Sequence, residues 1–400
     1  MFNFKKSKLG VMATMVLAGA LGLSSCTSGS DADEEYTGNL DPVSFSQVAI
    51  QSLKSNATEA TSNSPLTQGF MVSLWKGFAT SSQQTLMDMY EVKYLTDNWT
   101  GSYSWSYVGT TADGFSKEQR QTYWDTNKMP YRFYALTPYP TDVTGFVLSD
   151  TLLTLPLSAQ FTYQTSTNGN ISEGREDYLP AQVERQASGK DYDVMIDHGT
   201  KQINTGSTTL NRSVALPFHH FTSKVRFGIY TESIVSTEEA LPVTDIVIKV
   251  VSDNFATSAM GYQANLSTGD MLSGSFTQLT RQNGVVLLTT DSSNANDNNI
   301  LQANKDTKAY MMRCPDGLLQ IPQSGVMLTI SFKVGSKEFT DIPLTVTEGD
   351  ETMTSFTWNP NTLYTYLIKV KDLVKADIEC TATIEDWDYI YATINTDLEK

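Results

Sequence analysis

Val326-Met327-Leu328-Thr329-Ile330-Ser331-Phe332-Lys333-Val334 alternates residue by residue, with Val, Leu, Ile, Phe and Val at the even positions and Met, Thr, Ser and Lys between them. A strand turns successive side chains to opposite faces, so this stretch reads as a strand with one buried face. The same period recurs at Val225, Phe227 and Ile229, and at Ile246, Ile248 and Val250. It recurs again at Tyr364, Tyr366, Ile368 and Val370, and at Ile378, Cys380, Ala382 and Ile384. Turn residues punctuate these runs, as in Gly335-Ser336-Lys337 and Glu348-Gly349-Asp350. Long helical periods are absent, and two short helices are expected over residues 116–124 and 178–187. The fold class is therefore all-β, built of antiparallel sheets.

Four hundred residues are long for one sandwich and suit two. Asp191-Tyr192-Asp193-Val194-Met195-Ile196 reads as a closing strand, and residues 198–209 are rich in Gly, Ser, Thr and Asn. A new strand series opens at Val214-Ala215-Leu216. The expected boundary lies near Gly206, with an amino-terminal sandwich over residues 42–205 and a carboxy-terminal one over 206–400.

The first residues read as an address. Lys5, Lys6 and Lys8 precede an apolar run over 9–23, which is short for a membrane span. Leu23-Ser24-Ser25-Cys26 then resembles the lipobox of bacterial lipoproteins: an aliphatic residue, two small ones, then the cysteine. The resemblance implies a signal peptide over 1–25, cleavage before Cys26, and lipid on the Cys26 thiol that anchors the chain at the outer membrane. Residues 26–41 form an acidic, flexible tether with Asp31, Asp33, Glu34 and Glu35. That patch resembles a surface-export signal of the Bacteroidetes; the alternative is a solvated linker.

The whole chain carries a formal charge of −16. Removing a leader with three lysines and no acid leaves 25 bases against 44 acids, a net of −19. Such a charge argues against nucleic acid as a partner and against adsorption to anionic membranes. Beyond Cys26 only Cys314 and Cys380 remain, too few for a disulfide framework. They are either two buried thiols or one bridge.

Several stretches, in order along the chain, resemble the fimbrillin-like proteins of the Bacteroidetes, the type V pilin superfamily. They are the lipobox and tether, the run Tyr131-Arg132-Phe133-Tyr134-Ala135-Leu136-Thr137-Pro138, and Asp191-Tyr192-Asp193-Val194-Met195. Phe218-His219-His220-Phe221-Thr222-Ser223-Lys224-Val225, the run from Tyr364 to Lys371, and Ala382-Thr383-Ile384-Glu385-Asp386-Trp387 complete the set. The resemblance implies two tandem transthyretin-like sandwiches and a subunit that travels as a lipoprotein to a surface fibre serving adhesion. Its partners would be other pilin subunits, the outer membrane through Cys26, and a host or bacterial surface ligand. It also implies strand exchange, in which a protease removes the first strand and a neighbour's strand fills the cleft.

The parts of that device are assigned as follows. Residues 42–50 are the candidate removable strand, with Val43 and Phe45 facing in. Ile390, Ala392 and Ile394 alternate in the tail and are candidate donor-strand residues. The alternative for both is a permanent edge strand. Many relatives are matured after arginine, but the first arginine here is Arg120, inside the first sandwich. Lys54 is the only basic residue between Cys26 and Lys76, which makes it the candidate cleavage point. An uncut chain would be an anchor or accessory subunit.

No motif for catalysis, nucleotide binding or metal binding is present, and no cofactor is implied. His219 and His220 are adjacent, so on a strand they point apart and do not share an ion. Residues 291–297 read as a solvated Asn-rich loop, with calcium as the alternative. Trp99, Tyr103, Trp105 and Tyr107 share one strand face, either as core or as an exposed row that stacks on sugars. A non-polymerising surface lipoprotein that binds glycans or host proteins through such aromatics is the second reading. Asp150-Thr151-Leu152 resembles a short Bacteroidetes O-glycosylation signal, which makes Thr151 a candidate site.

Overall fold

The computed structural model describes residues 43–45, 69–77, 83–96, 103–107, 119–120, 122–124, 130–138, 144–155, 161–174, 176, 178–188, 191–197, 201–204, 214, 216–231, 243–290, 310–311, 314, 316–334, 336–348, 351–372 and 377–386. Among them every regular element is a strand. Residues 40–400 form one compact unit.

The amino-terminal strands are β1 (Phe70–Lys76), β2 (Gln84–Thr96), β3 (Tyr103–Tyr107) and β4 (Tyr131–Thr137). Five short strands follow: β5 (Val147–Leu148), β6 (Leu152–Thr154), β7 (Phe161–Thr162), β8 (Ser166–Thr167) and β9 (Asn170–Ile171). Then come β10 (Leu179–Ser188), β11 (Asp191–Asp197) and β12 (Lys201–Asn204). The carboxy half opens with β13 (Ser223–Thr231), β14 (Val243–Val250), β15 (Phe255–Asn265), β16 (Ser275–Gln282) and β17 (Val286–Thr289). It continues with β18 (Tyr310–Met311), β19 (Leu318–Gln320), β20 (Gln323–Val326), β21 (Leu328–Val334) and β22 (Lys337–Pro343). It ends with β23 (Val346–Glu348), β24 (Glu351–Met353), β25 (Phe356–Trp358), β26 (Thr362–Asp372) and β27 (Asp377–Asp386).

A seven-stranded antiparallel sheet, ordered β12-β11-β10-β4-β1-β2-β3, carries the amino-terminal part. Its centre, β1, is buried on both faces. Phe70, Val72 and Leu74 look one way, and Met71 and Trp75 the other, as the pleat demands. β2 keeps both Met87 and Tyr90 on the first face because a bulge at Met89, with φ of 49°, shifts its register.

The carboxy core lies between two sheets. One is ordered β18-β13-β26-β27-β23-β24, the other β22-β21-β14-β17-β8-β9. Val225, Phe227, Ile248, Ile330, Phe332, Tyr366 and Ile368 meet there, each nearly inaccessible to solvent. Trp358 Nε1 donates to Tyr366 Oη at 2.9 Å, which satisfies both groups inside that core. The pairs β13–β26, β17–β8 and β23–β27 are parallel, which departs from the purely antiparallel expectation.

Three further expectations are corrected. The stretch 178–187, read as a short helix, is the strand β10 between β4 and β11. Pro180, Ala181, Val183 and Arg185 are buried on it, and a charged residue among the inward positions obscures the period. The face Ile378, Cys380, Ala382, Ile384 is fully buried only at Cys380, and Ile384 is 49% exposed. On its outer side β27 meets β23 at the single pair Val346↔Cys380, so cover fades toward its end. His219 and His220 lie in the irregular stretch before β13 rather than on a strand.

The expected boundary at Gly206 lies outside the described residues. Across it, sheets are shared: β6 and β7 pair with β15, and β8 pairs with β17.

Candidate functional site: the cleft around residues 43–45

The first face of the seven-stranded sheet presents Phe70, Val72, Leu74, Tyr131, Phe133, Ala135, Ala181 and Val183. Among the described residues, three short segments cover it: 43–45, 122–124, and 214 with 216–218. Val43 is 1% exposed and Phe45 7%, while Ser44 between them faces solvent. This alternation is that of an extended segment with one apolar edge laid into a groove.

Backbone bonds fix the segment on both sides. Val43 N donates to Thr122 O at 2.8 Å, and Val214 N donates to Ser44 O at 2.7 Å. Phe45 and Val214 form an isolated parallel bridge. The Phe45 ring stands edge-on to Phe70 at 5.3 Å and to Phe133 at 6.2 Å. Burial of one valine and one phenylalanine side chain contributes about 1.5–3 kcal/mol each.

Aromatic rings line the cleft from both sides. Trp124 meets Tyr131 at 4.8 Å and Phe133 at 5.9 Å, and the Arg185 guanidinium lies 4.5 Å above the Trp124 ring. Arg185 is 1% exposed, so the ring face helps to offset the loss of its hydration. Sequence reading did not find Trp124 or Arg185 as cleft residues. The walls were partly visible, because Val214, Leu216 and Phe218 alternate.

A second polar junction holds the entry to β13. His220 Nδ1 and Glu176 Oε2 are 2.6 Å apart, and Thr222 N donates to Glu176 Oε1 at 2.8 Å. His220 N donates to Asn361 Oδ1 at 2.9 Å, and Asn361 Nδ2 lies 2.9 Å from His219 Nδ1. The two imidazoles thus use Nδ1 on different partners.

The other assigned residues are placed as follows. Cys26, Lys54, Ile390, Ala392, Ile394, His198 and Trp99 lie outside the described residues. Tyr103, Trp105 and Tyr107 sit on β3, the edge of the seven-stranded sheet, and their side chains are outside the description. Thr151 is exposed in the β5–β6 turn, where Ser149 Oγ accepts from Leu152 N at 3.0 Å. Cys314 and Cys380 are buried free thiols. Burial pushes Cys314 up to about 11 and Cys380 up to about 12, so both are protonated near neutrality. Among the described residues no His, Cys, Asp and Glu cluster is arranged to hold a metal ion. The cleft holds the extended segment 43–45 with Val43 and Phe45 buried.

A family model described as fimbrillin-like matches residues 58–387. No curated protein matches the chain. Among solved structures, a candidate cell adhesion protein of Bacteroides uniformis is similar at 12% identity and a TM-score of 0.38, over 88% of this chain and 100% of that one. A fimbrial protein of Bacteroides vulgatus is similar at 15% identity and 0.36, over 80% and 93%. A candidate cell adhesion protein of Bacteroides ovatus is similar at 10% identity and 0.35, over 87% and 96%. Likeness at this level carries no statement about mechanism.

Proposed function

The chain belongs to the fimbrillin-like family, and from that premise we propose that it is a cell-surface fimbrial subunit, structural or anchor, that serves adhesion and joins its neighbours by strand exchange at the 43–45 cleft. In this reading Cys26 carries the delivery lipid and residues 43–45 are a placeholder. Cleavage after Lys54 releases them, and a neighbour's tail, through Ile390, Ala392 and Ile394, takes their place. The observation that carries the reading is the burial of Val43 and Phe45 against Phe70 and Phe133. Their removal leaves an apolar groove with the backbone groups Thr122 O and Val214 N along its sides. An alternating donor segment satisfies both kinds of surface. Repeated head to tail, such a contact builds a filament.

The test is to recover the protein from the cell surface and sequence its amino terminus. A start near Ser55 within high-mass polymers is expected. An acylated Cys26 on a monomer contradicts polymerisation and leaves an anchor or binding module.

A further inference from the structure

Between β4 and β10 the chain leaves the seven-stranded sheet for some forty residues, and its hydrogen bonds there go largely to the carboxy half. β6 pairs with β15 at Gln263↔Thr154, Ala264↔Leu153 and Asn265↔Leu152, and β7 pairs with β15 at Ser258↔Thr162 and Ala259↔Phe161. Tyr163 N donates to Thr257 O at 3.2 Å. Gln164 then runs along β19. Its N donates to Leu319 O at 2.7 Å, its Oε1 accepts from Leu319 N at 2.9 Å, and its O accepts from Gln320 Nε2 at 3.0 Å. β8 lies parallel to β17, and Asn168 N donates to Thr289 O at 2.8 Å.

Side chains follow the same route. Phe161 meets Phe221 at 6.0 Å and Phe276 at 5.0 Å, and Tyr163 meets Phe255 at 6.2 Å. The core that Phe161 enters is shared, while Tyr163 packs against the carboxy core. Met71, Trp75, Tyr134 and Leu136, from the second face of the seven-stranded sheet, join Leu153, Phe161, Phe221, Ala259, Tyr262 and Ile321. The returning limb is held by Glu176 on His220 and Thr222, and by His219 N donating to Pro180 O at 2.9 Å.

We propose that this excursion is a clasp that makes the two halves one mechanical unit, so that β1 through β27 yield to heat or force in a single step. Two sandwiches joined only by a linker would part first and unfold separately. Here, parting them removes β6, β7 and β8 from sheets that those strands help to complete, and opens a core that both halves line. The halves therefore stabilise each other, and neither can be lost alone at equilibrium. The inference rests on strand pairing and stands whether or not the chain polymerises.

The test holds the full-length chain, with Cys26→Ser for solubility, by both ends in optical tweezers. One rupture is expected, releasing about 120 nm at roughly 3.5 Å per residue. Calorimetry of the same protein is expected to give equal calorimetric and van't Hoff enthalpies. Phe161→Ala with Gln164→Ala is expected to split the rupture into two steps and to lower the van't Hoff ratio. Gln164→Ala alone, which removes only the acceptor of Leu319 N, serves if the pair fails to fold, with the same direction expected. Two ruptures in the parent chain overturn the proposal. So does a variant that folds and keeps one transition at an unchanged midpoint.

Discussion

The chain closes two of its apolar cores in different ways. The carboxy core lies between sheets whose strands bond along their length, such as β13 with β26 from Lys224↔Leu363 to Thr231↔Val370. The cleft core has a seven-stranded sheet on one side and, among the described residues, three short segments on the other. A core closed by long strands opens only when its sheets unfold. One closed in part by a three-residue segment can lose that segment and keep its sheet. The contrast separates a scaffold from a short cover, which is the feature that the proposed strand exchange would use.

The largest way to break the contrast is in the scaffold. Trp358→Ala removes a buried indole and its bond to Tyr366, and is expected to lower the global unfolding free energy by about 3–5 kcal/mol. Urea unfolding measures it. In the cover, Phe45→Ala is expected to cost the global transition less, about 1.5–3 kcal/mol, because it removes one ring from a short segment and leaves the strand pairing of the sheet intact. Cleavage at Lys54 by a lysine-specific protease is expected to accelerate several-fold. A Phe45→Ala loss as large as that of Trp358→Ala would erase the distinction.

A smaller effect belongs to pH. The folded thiols stay protonated where unfolded ones ionise, so unfolding releases protons as the solution becomes alkaline. Stability is expected to be level up to about pH 9 and to fall from there toward pH 11 to 12. Burial raises the phenols of Tyr262 and Tyr366 as well, with the same sign. Cys380→Ala is expected to flatten part of that fall, as read by unfolding at stepped pH. The smallest effect concerns Thr151, exposed in its turn. Thr151→Val is expected to leave the melting temperature unchanged and to remove any glycan mass seen on that peptide.

The strands of the carboxy core were legible because each has one buried face. Val225, Phe227 and Ile229, and Ile246, Ile248 and Val250, appear as their period predicts. β10 was not legible, because Arg185 stands where an apolar residue would complete the pattern. The clasp left no local signal at all. Its strands are two or three residues long, and Ser166 pairs with Leu288, far away in sequence. Of the cleft, Val43 and Phe45 could be singled out from their spacing, and the structure buries both. Trp124, which closes part of the cleft, falls in a stretch read as a short helix, and its neighbour Tyr123 forms only an isolated bridge.

Native-state hydrogen exchange distinguishes the cover from the scaffold amide by amide. The amides of Val43 and Val214, which bond to Thr122 O and Ser44 O, are compared with those of Phe227 and Ile248 in the carboxy core. The cleft amides are expected to exchange through a local opening that low denaturant leaves unchanged, while the core amides exchange only with global unfolding. Identical opening free energies and denaturant slopes for both sets would mean that the cover is not separable from the scaffold, and would contradict that expectation.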